Sequence, residues 1–116
     1  HAACDAALGA VAGGEIGLYF PPTDLTIMGI DSSVIAQKTL ELLDKKGARL
    51  VHLDVTMVAE EPKLSVHYVM IKKSVARIFR LPEENVSIKA KSHEGLGEIG
   101  RGEAIACYAV ATVEIK

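Results

Sequence analysis

Apolar and polar positions change rhythm several times along the chain. Residues 2–11 are mostly Ala and Leu, strong helix formers, and predict a first helix that Gly13 and Gly14 end. No Ser, Thr, Asp or Asn precedes it as a cap, so the pattern predicts that the true beginning of the protein lies upstream of His1. From Gly14 to Asp24, Gly and Pro punctuate a long loop, and long ordered loops are often functional. A second helix opens at Asp31-Ser32-Ser33, whose oxygens can accept the free amide protons of a first turn. Val34, Ile35, Leu40, Leu42 and Leu43 form its apolar side, Lys45 and Lys46 suit its negative end, and Gly47 stops it.

The period then shortens to two. Over residues 50–58, Val51, Leu53, Val55 and Met57 point one way and His52, Asp54 and Thr56 the other, as in a strand with one polar face. Pro62 begins a third helix, with Tyr68, Ile71, Val75, Ile78 and Phe79 at helical spacing, and Leu81-Pro82 closes it. A short strand follows at residues 86–90. A glycine-rich turn from Gly95 to Gly102 leads into a last strand at residues 104–115, read as an antiparallel hairpin. The order is helix, helix, strand, helix, strand, strand. The strand–helix–strand part predicts a parallel pair joined by a right-handed crossover. The fold class is therefore α/β, a small mixed-sheet sandwich with helices on one sheet face. Three strands make a meagre sheet, which points to a missing first strand or to oligomerisation.

Composition narrows the function. The 116 residues, 49% of them hydrophobic, fit one folded domain spanning residues 1–116. A net charge of −2 offers no basic field for nucleic acid, and with no Trp, three Tyr and two Phe there is no base-stacking platform. Cys4 and Cys107 lie far apart and read as two buried thiols in a reducing compartment. The longest apolar stretch, residues 104–113, is too short to span a membrane, and no targeting segment is expected.

Three places carry candidate chemistry. His1 reads as structural or as a chain end, though a neutral imidazole there can hold a borderline ion such as Zn²⁺. The run from Lys89 to Glu103 ends a strand and combines cations, the Ser92 hydroxyl, the Glu94 carboxylate and several glycines. Glycines let backbone approach a ligand, a hydroxyl and amide protons can hold phosphate oxygens, and a carboxylate can hold Mg²⁺. A solvated hairpin turn accounts for the same composition equally well. Residues 59–64 join a strand to a helix start, where unpaired amide protons can receive a polar ligand. His52, His67 and His93 read as hydrogen-bonded surface or edge residues, and Lys72-Lys73 as a solvated helix face.

Taken in order, six segments resemble the 2-C-methyl-D-erythritol 2,4-cyclodiphosphate synthase family of the non-mevalonate isoprenoid pathway. They are His1-Ala-Ala-Cys-Asp-Ala-Ala-Leu-Gly, Gly14-Glu-Ile-Gly, Phe20-Pro-Pro-Thr-Asp, Gly29-Ile-Asp-Ser, Asp54-Val-Thr-Met-Val-Ala-Glu-Glu-Pro-Lys, and Lys89 through Ile105. The resemblance runs the length of the chain. It implies a phosphorus–oxygen lyase that cyclises 4-diphosphocytidyl-2-C-methyl-D-erythritol 2-phosphate and releases CMP. It implies a zinc-type ion held by an Asp-x-His pair and a later His, and Mg²⁺ or Mn²⁺ held by a Glu. It also implies a homotrimer with active sites between subunits, in the bacterial cytoplasm or, in a plant or alga, the plastid stroma.

Position by position, the later His is His1, and the Glu is Glu94. Ser92 falls on the hydroxyl that steadies the phosphates, between Lys91 and His93. Glu15, Ile16 and Gly17 fall on the ribose loop, and Phe20, Pro21, Pro22, Thr23 and Asp24 on the loop over the erythritol. Ala59, Glu60, Glu61, Pro62, Lys63, Leu64 and Ser65 fall on the cytosine pocket. Arg101 falls where three arginines meet on a threefold axis and can hold an isoprenoid diphosphate in a central cavity. The chain departs from the family in lacking the Asp-x-His pair and the first strands, so the domain is expected to be incomplete at its amino end. Glu15 and Pro22 each replace an Asp, Glu98 stands where Phe is common, and Lys91-Ser92-His93 replaces a Thr-rich run. A non-catalytic trimeric module that binds isoprenoid diphosphates or nucleotides is the alternative.

Overall fold

The computed structural model describes residues 1–24 and 29–116. Among the described residues, five α-helices and three strands follow in the order α1 (Ala2–Ala10), α2 (Ile16–Tyr19), α3 (Ser32–Lys45), β1 (Ala48–Val58), α4 (Tyr68–Phe79), β2 (Val86–Lys91), α5 (Gly97–Gly100) and β3 (Ala106–Ile115). Short 3-10 turns at Leu64–His67 and Glu83–Asn85 lead into α4 and β2. The predicted mixed α/β class holds. The single turns α2 and α5 lie where a loop and a glycine-rich turn were expected. The third helix starts at Tyr68, because the segment after Pro62 first makes a 3-10 turn.

The sheet has the order β2-β1-β3, with β1 parallel to β2 and antiparallel to β3. The expected hairpin between the last two strands is therefore absent: the segment after β2 carries the chain past β1, and β3 pairs on its far side. β2 and β3 share no ladder because β1 takes the central position between them, and β3 packs its own apolar residues Ala109, Ala111 and Val113 against the helical core.

The alternation in β1 is also interrupted. The register passes from Leu50↔Val113 to His52↔Thr112, which leaves Val51 as an extra residue, a β-bulge. On a strict two-residue period Leu50 and Leu53 would face opposite sides. The bulge returns Ala48, Leu50 and Leu53 to one core. Val51, expected in the row of Leu53, is the half-buried bulge residue instead.

That core joins Ala3, Cys4 and Ala7 of α1, Ile35, Ala36 and Leu43 of α3, and Phe79 of α4, with Ala109, Ala111 and Val113 of β3 packed against it. Val34, expected on the apolar side of α3, is 46% exposed. Asp31 caps α3 by accepting the Ser33 N–H at 2.8 Å, and hydrogen bonding from the Ser33 side chain, with that backbone bond second, lowers its pKa. Thr39, the polar residue buried in α3, donates its hydroxyl to the Ile35 carbonyl at 2.9 Å. Of the two cysteines expected to be buried, Cys4 is and Cys107 is exposed.

Helices cover one sheet face. The other presents His52, the Lys89–Asp54 ion pair at 2.9 Å, and Tyr108 and Val110, which are 68% and 66% exposed. Val110 pairs with Asp54 and Tyr108 with Thr56, so these residues form one continuous surface over the middle of the sheet. Among the described residues no helix is long and apolar enough to cross a membrane.

Candidate functional site

The residues singled out by sequence gather into two separate places. In the first, α1 starts directly after His1, whose Nε2 lies 3.4 Å from Ser32 Oγ at the start of α3. Beside it a cavity of about 420 Å³ is lined by His1, Ile16, Phe20, Pro21, Pro22, Asp24, Gly29, Ile30, Ser32 and Ile35. Glu15 caps α2 from an extended backbone, and the turn brings Ile16 and Phe20 to the cavity wall. Gly14 allows the tight approach, since its φ is +88° and a Cβ there would stand 2.6 Å from Leu18 Cδ1. Glu15, Gly17 and Thr23 do not line the cavity.

Sequence reasoning passed over Asp5. Its Oδ1 accepts the Ile16 N–H at 2.8 Å and ties the Glu15–Gly17 turn to the helix that carries His1. Tyr19 adds a second tie by donating its hydroxyl to the Gly13 carbonyl at 2.9 Å. The available signal was a lone acid in an otherwise apolar first helical turn, where it also favours the helix dipole.

In the second place, the end of β1 runs beside the end of β2, and Ala59 donates its N–H to the Lys91 carbonyl at 3.0 Å. The Tyr68 hydroxyl accepts the Ala90 N–H at 2.6 Å and packs α4 onto the strand. Ala59, Glu60, Pro62, Lys63, Leu64, Ser65, Tyr68, Ala90, Lys91 and Ser92 line a cavity of about 290 Å³ between these elements. Nearly all of the segment expected to form a base pocket is here, with Glu61 outside the lining.

The turn that follows holds His93 and Glu94, both exposed. Glu94 has a left-handed backbone with φ 52°, and Gly95 follows at φ 81°. Gly100 folds back so closely that a Cβ there would stand 2.2 Å from the Gly95 carbonyl carbon. The Glu94 N–H donates to Ser92 Oγ at 3.1 Å, the Gly95 N–H to Glu60 Oε1 at 3.0 Å, and the Leu96 N–H to the His93 carbonyl at 2.9 Å. These amide protons, expected to be available to phosphate oxygens, are already engaged. Ser92 Oγ acts as acceptor in its bond and keeps its O–H to donate.

Among the described residues no group of three or more His, Cys, Asp or Glu side chains is gathered to hold a metal ion. His1 contributes one imidazole on a cavity wall. The Glu94 carboxylate makes no hydrogen bond or ion pair among the described residues and projects from a held turn, which fits a hard divalent cation. Arg101 contacts Glu103 at 3.1 Å and Glu98 at 3.8 Å, both solvent-exposed pairs.

The model of the YgbB family matches residues 1–114. The 2-C-methyl-D-erythritol 2,4-cyclodiphosphate synthase of Syntrophus aciditrophicus is 42% identical over 114 residues, covering 98% of this chain and 72% of its own. The bifunctional IspDF of Campylobacter jejuni superposes with a TM-score of 0.93 at 29% identity, over 100% of this chain and 31% of its own. The CDP complex of IspF from Plasmodium falciparum gives a TM-score of 0.80 at 30% identity, over 97% of this chain and 66% of its own. The chain belongs to the YgbB family, that of the 2-C-methyl-D-erythritol 2,4-cyclodiphosphate synthases, enzymes that close a cyclic diphosphate in isoprenoid biosynthesis.

Proposed function

We propose that the active site forms where the first cavity of one copy meets the second cavity of its neighbour in a homotrimer. The observation that carries this is the separation of the two: their linings share no residue, and no metal-binding group is gathered within one chain among the described residues. The bare sheet face with Tyr108 and Val110 supplies apolar surface of the kind that subunit contacts cover. Arg101, beyond α5, is the residue that would hold an isoprenoid diphosphate on the threefold axis.

The substrate is 4-diphosphocytidyl-2-C-methyl-D-erythritol 2-phosphate. An oxygen of its 2-phosphate attacks the β-phosphorus, a new O–P bond closes the ring, and the bond from the β-phosphorus to the bridging oxygen breaks. CMP leaves with that electron pair. Both reacting groups are anionic, so positioning and charge neutralisation dominate and little proton transfer is needed. The CDP complex of a structural neighbour supports nucleotide binding; in this reading the cavity at residues 59–65 takes the cytosine, with Lys63 beside the base and Lys91 and the Ser92 hydroxyl toward the phosphates. In this reading the Glu15–Gly17 turn meets the ribose beside the first cavity, and Phe20, Pro21 and Pro22 give the erythritol an apolar wall next to Asp24.

Glu94 would hold Mg²⁺ or Mn²⁺, and His1 would be one ligand of a zinc-type ion. Such cations, when bound, neutralise phosphate charge and polarise the electrophilic phosphorus. The bacterial relatives support action in the cytoplasm. Incubating the full-length protein with the cytidine diphosphate substrate, Mg²⁺ and Zn²⁺ tests the reading. CMP and the cyclic diphosphate should appear together, and intact substrate after incubation with a metal-loaded trimer would refute it.

A further inference from the structure

We infer that Glu60 is a positioning residue that couples the base pocket to the turn presenting Glu94; this rests on the reading of Glu94 as a cation ligand. Glu60 lies in the wall of the second cavity, yet its Oε1 accepts the N–H of Gly95, 35 residues further along the chain, at 3.0 Å. Gly95 is the residue directly after Glu94, so this bond fixes the peptide plane on the carboxyl side of Glu94.

The backbone there needs holding. Glu94 is a non-glycine residue at φ 52°, a region that L-residues other than Asn and Asp seldom occupy without support. Two side-chain oxygens from different elements take two consecutive amide protons: Ser92 Oγ that of Glu94, and Glu60 Oε1 that of Gly95. The Ser92 bond is local and would persist if the whole turn swung as a unit. The Glu60 bond is the one of the two that anchors the turn to the end of β1, and hence to the segment where a nucleobase would dock.

Charge gives a second argument. A carboxylate in the wall of a pocket for an anionic nucleotide works against ligand binding. Its hydrogen bond to Gly95 leaves that charge in place but gives the side chain a use in holding the turn, and an amide side chain could accept the same N–H. Glu60→Gln and Glu60→Ala therefore separate the positioning role from the charge.

Three measurements on the full-length protein test this. Amide hydrogen exchange at Gly95 in metal-free protein should quicken on the order of tenfold in Glu60→Ala and stay near wild type in Glu60→Gln. Mn²⁺ affinity, read by electron paramagnetic resonance, should fall in Glu60→Ala and recover in Glu60→Gln. CDP affinity without metal should fall by less than Mn²⁺ affinity does. Unchanged Gly95 exchange in a folded Glu60→Ala protein, or loss of CDP binding with Mn²⁺ affinity intact, overturns the assignment and makes Glu60 a base contact. Glu94→Gln is the control for the underlying reading: Mn²⁺ affinity that ignores this change removes Glu94 as the ligand, while the Gly95 exchange result still reports on the clamp.

Discussion

The two cavities are built alike and lined differently. In each, a carboxylate oxygen accepts a backbone N–H and holds a turn against a neighbouring element: Asp5 to Ile16 in the first, Glu60 to Gly95 in the second. The first wall is mainly apolar, with Ile16, Phe20, Pro21, Pro22, Ile30 and Ile35. The second carries Glu60, Lys63, Ser65, Tyr68, Lys91 and Ser92. One suits a carbon skeleton and the other a nucleotide with its phosphates. The likeness of the clamps shows that both turns are held in place before any ligand arrives, which is what positioning catalysis requires. In the proposed site, the difference in lining matches a substrate with both kinds of surface.

The largest break in this pairing should come from Glu94→Gln. In the proposed mechanism it removes the cation's carboxylate and lowers turnover by about a hundredfold. Because Glu94 is exposed on a turn, the melting temperature should stay near wild type, and a thermal scan beside the rate assay checks both. A smaller effect is expected on the other side. Asp5→Ala frees the Ile16 N–H and should raise KM about fivefold while Mn²⁺ affinity holds. Asp5→Asn, which keeps an oxygen acceptor, should restore KM, and a KM that ignores both changes would detach Asp5 from the site.

The smallest effect concerns pH. Burial raises the pKa of the Cys4 thiol in α1, with a hydrogen bond to Thr39 opposing it. The folded value exceeds the unfolded one, so this contribution to stability is full below the ordinary thiol pKa and declines as pH rises past it. Cys107 is shifted the same way by partial burial. Melting temperatures from roughly pH 8 to 10 should therefore fall less steeply in Cys4→Ala than in wild type. Equal slopes would show that Cys4 titrates alike in both states. Since α1 carries Asp5 and follows His1, this alkaline loosening should reach the first cavity before the second.

Much of this arrangement can be read from residue order, and the exceptions share a cause. The helices at residues 2–10 and 68–79 follow from composition and local period, the one at 32–45 from its Asp31 cap as well, and β1 from alternation, although the third helix begins later than Pro62. What local pattern misses is long-range pairing. The bulge at Val51 exists because β3 meets β1 in a register that Leu50 and Leu53 must both satisfy, and β3 meets β1 because the sheet order is β2-β1-β3. In the same way residues 59–65 stand out in the sequence as a strand–helix junction, whereas the Glu60–Gly95 bond depends on two strand ends lying side by side. Asp5 was hidden because a single acid on an apolar helix looks like an ordinary first-turn charge. The expected availability of the glycine-rich amides failed in part for the same reason: the Gly95 acceptor is the distant Glu60, whereas the Glu94 N–H is taken locally by Ser92.

The central claim is that one copy's His1 cavity works with another copy's Glu94 turn, and subunit complementation tests it most directly. His1→Ala and Glu94→Gln proteins, each strongly impaired alone, would be co-expressed in equal amounts and the mixed trimers assayed. If every site draws one half from each of two copies, about a quarter of the sites regain both wild-type halves, and CMP release should return to about a quarter of the wild-type rate. Mixed trimers that stay as inactive as either parent would contradict the claim.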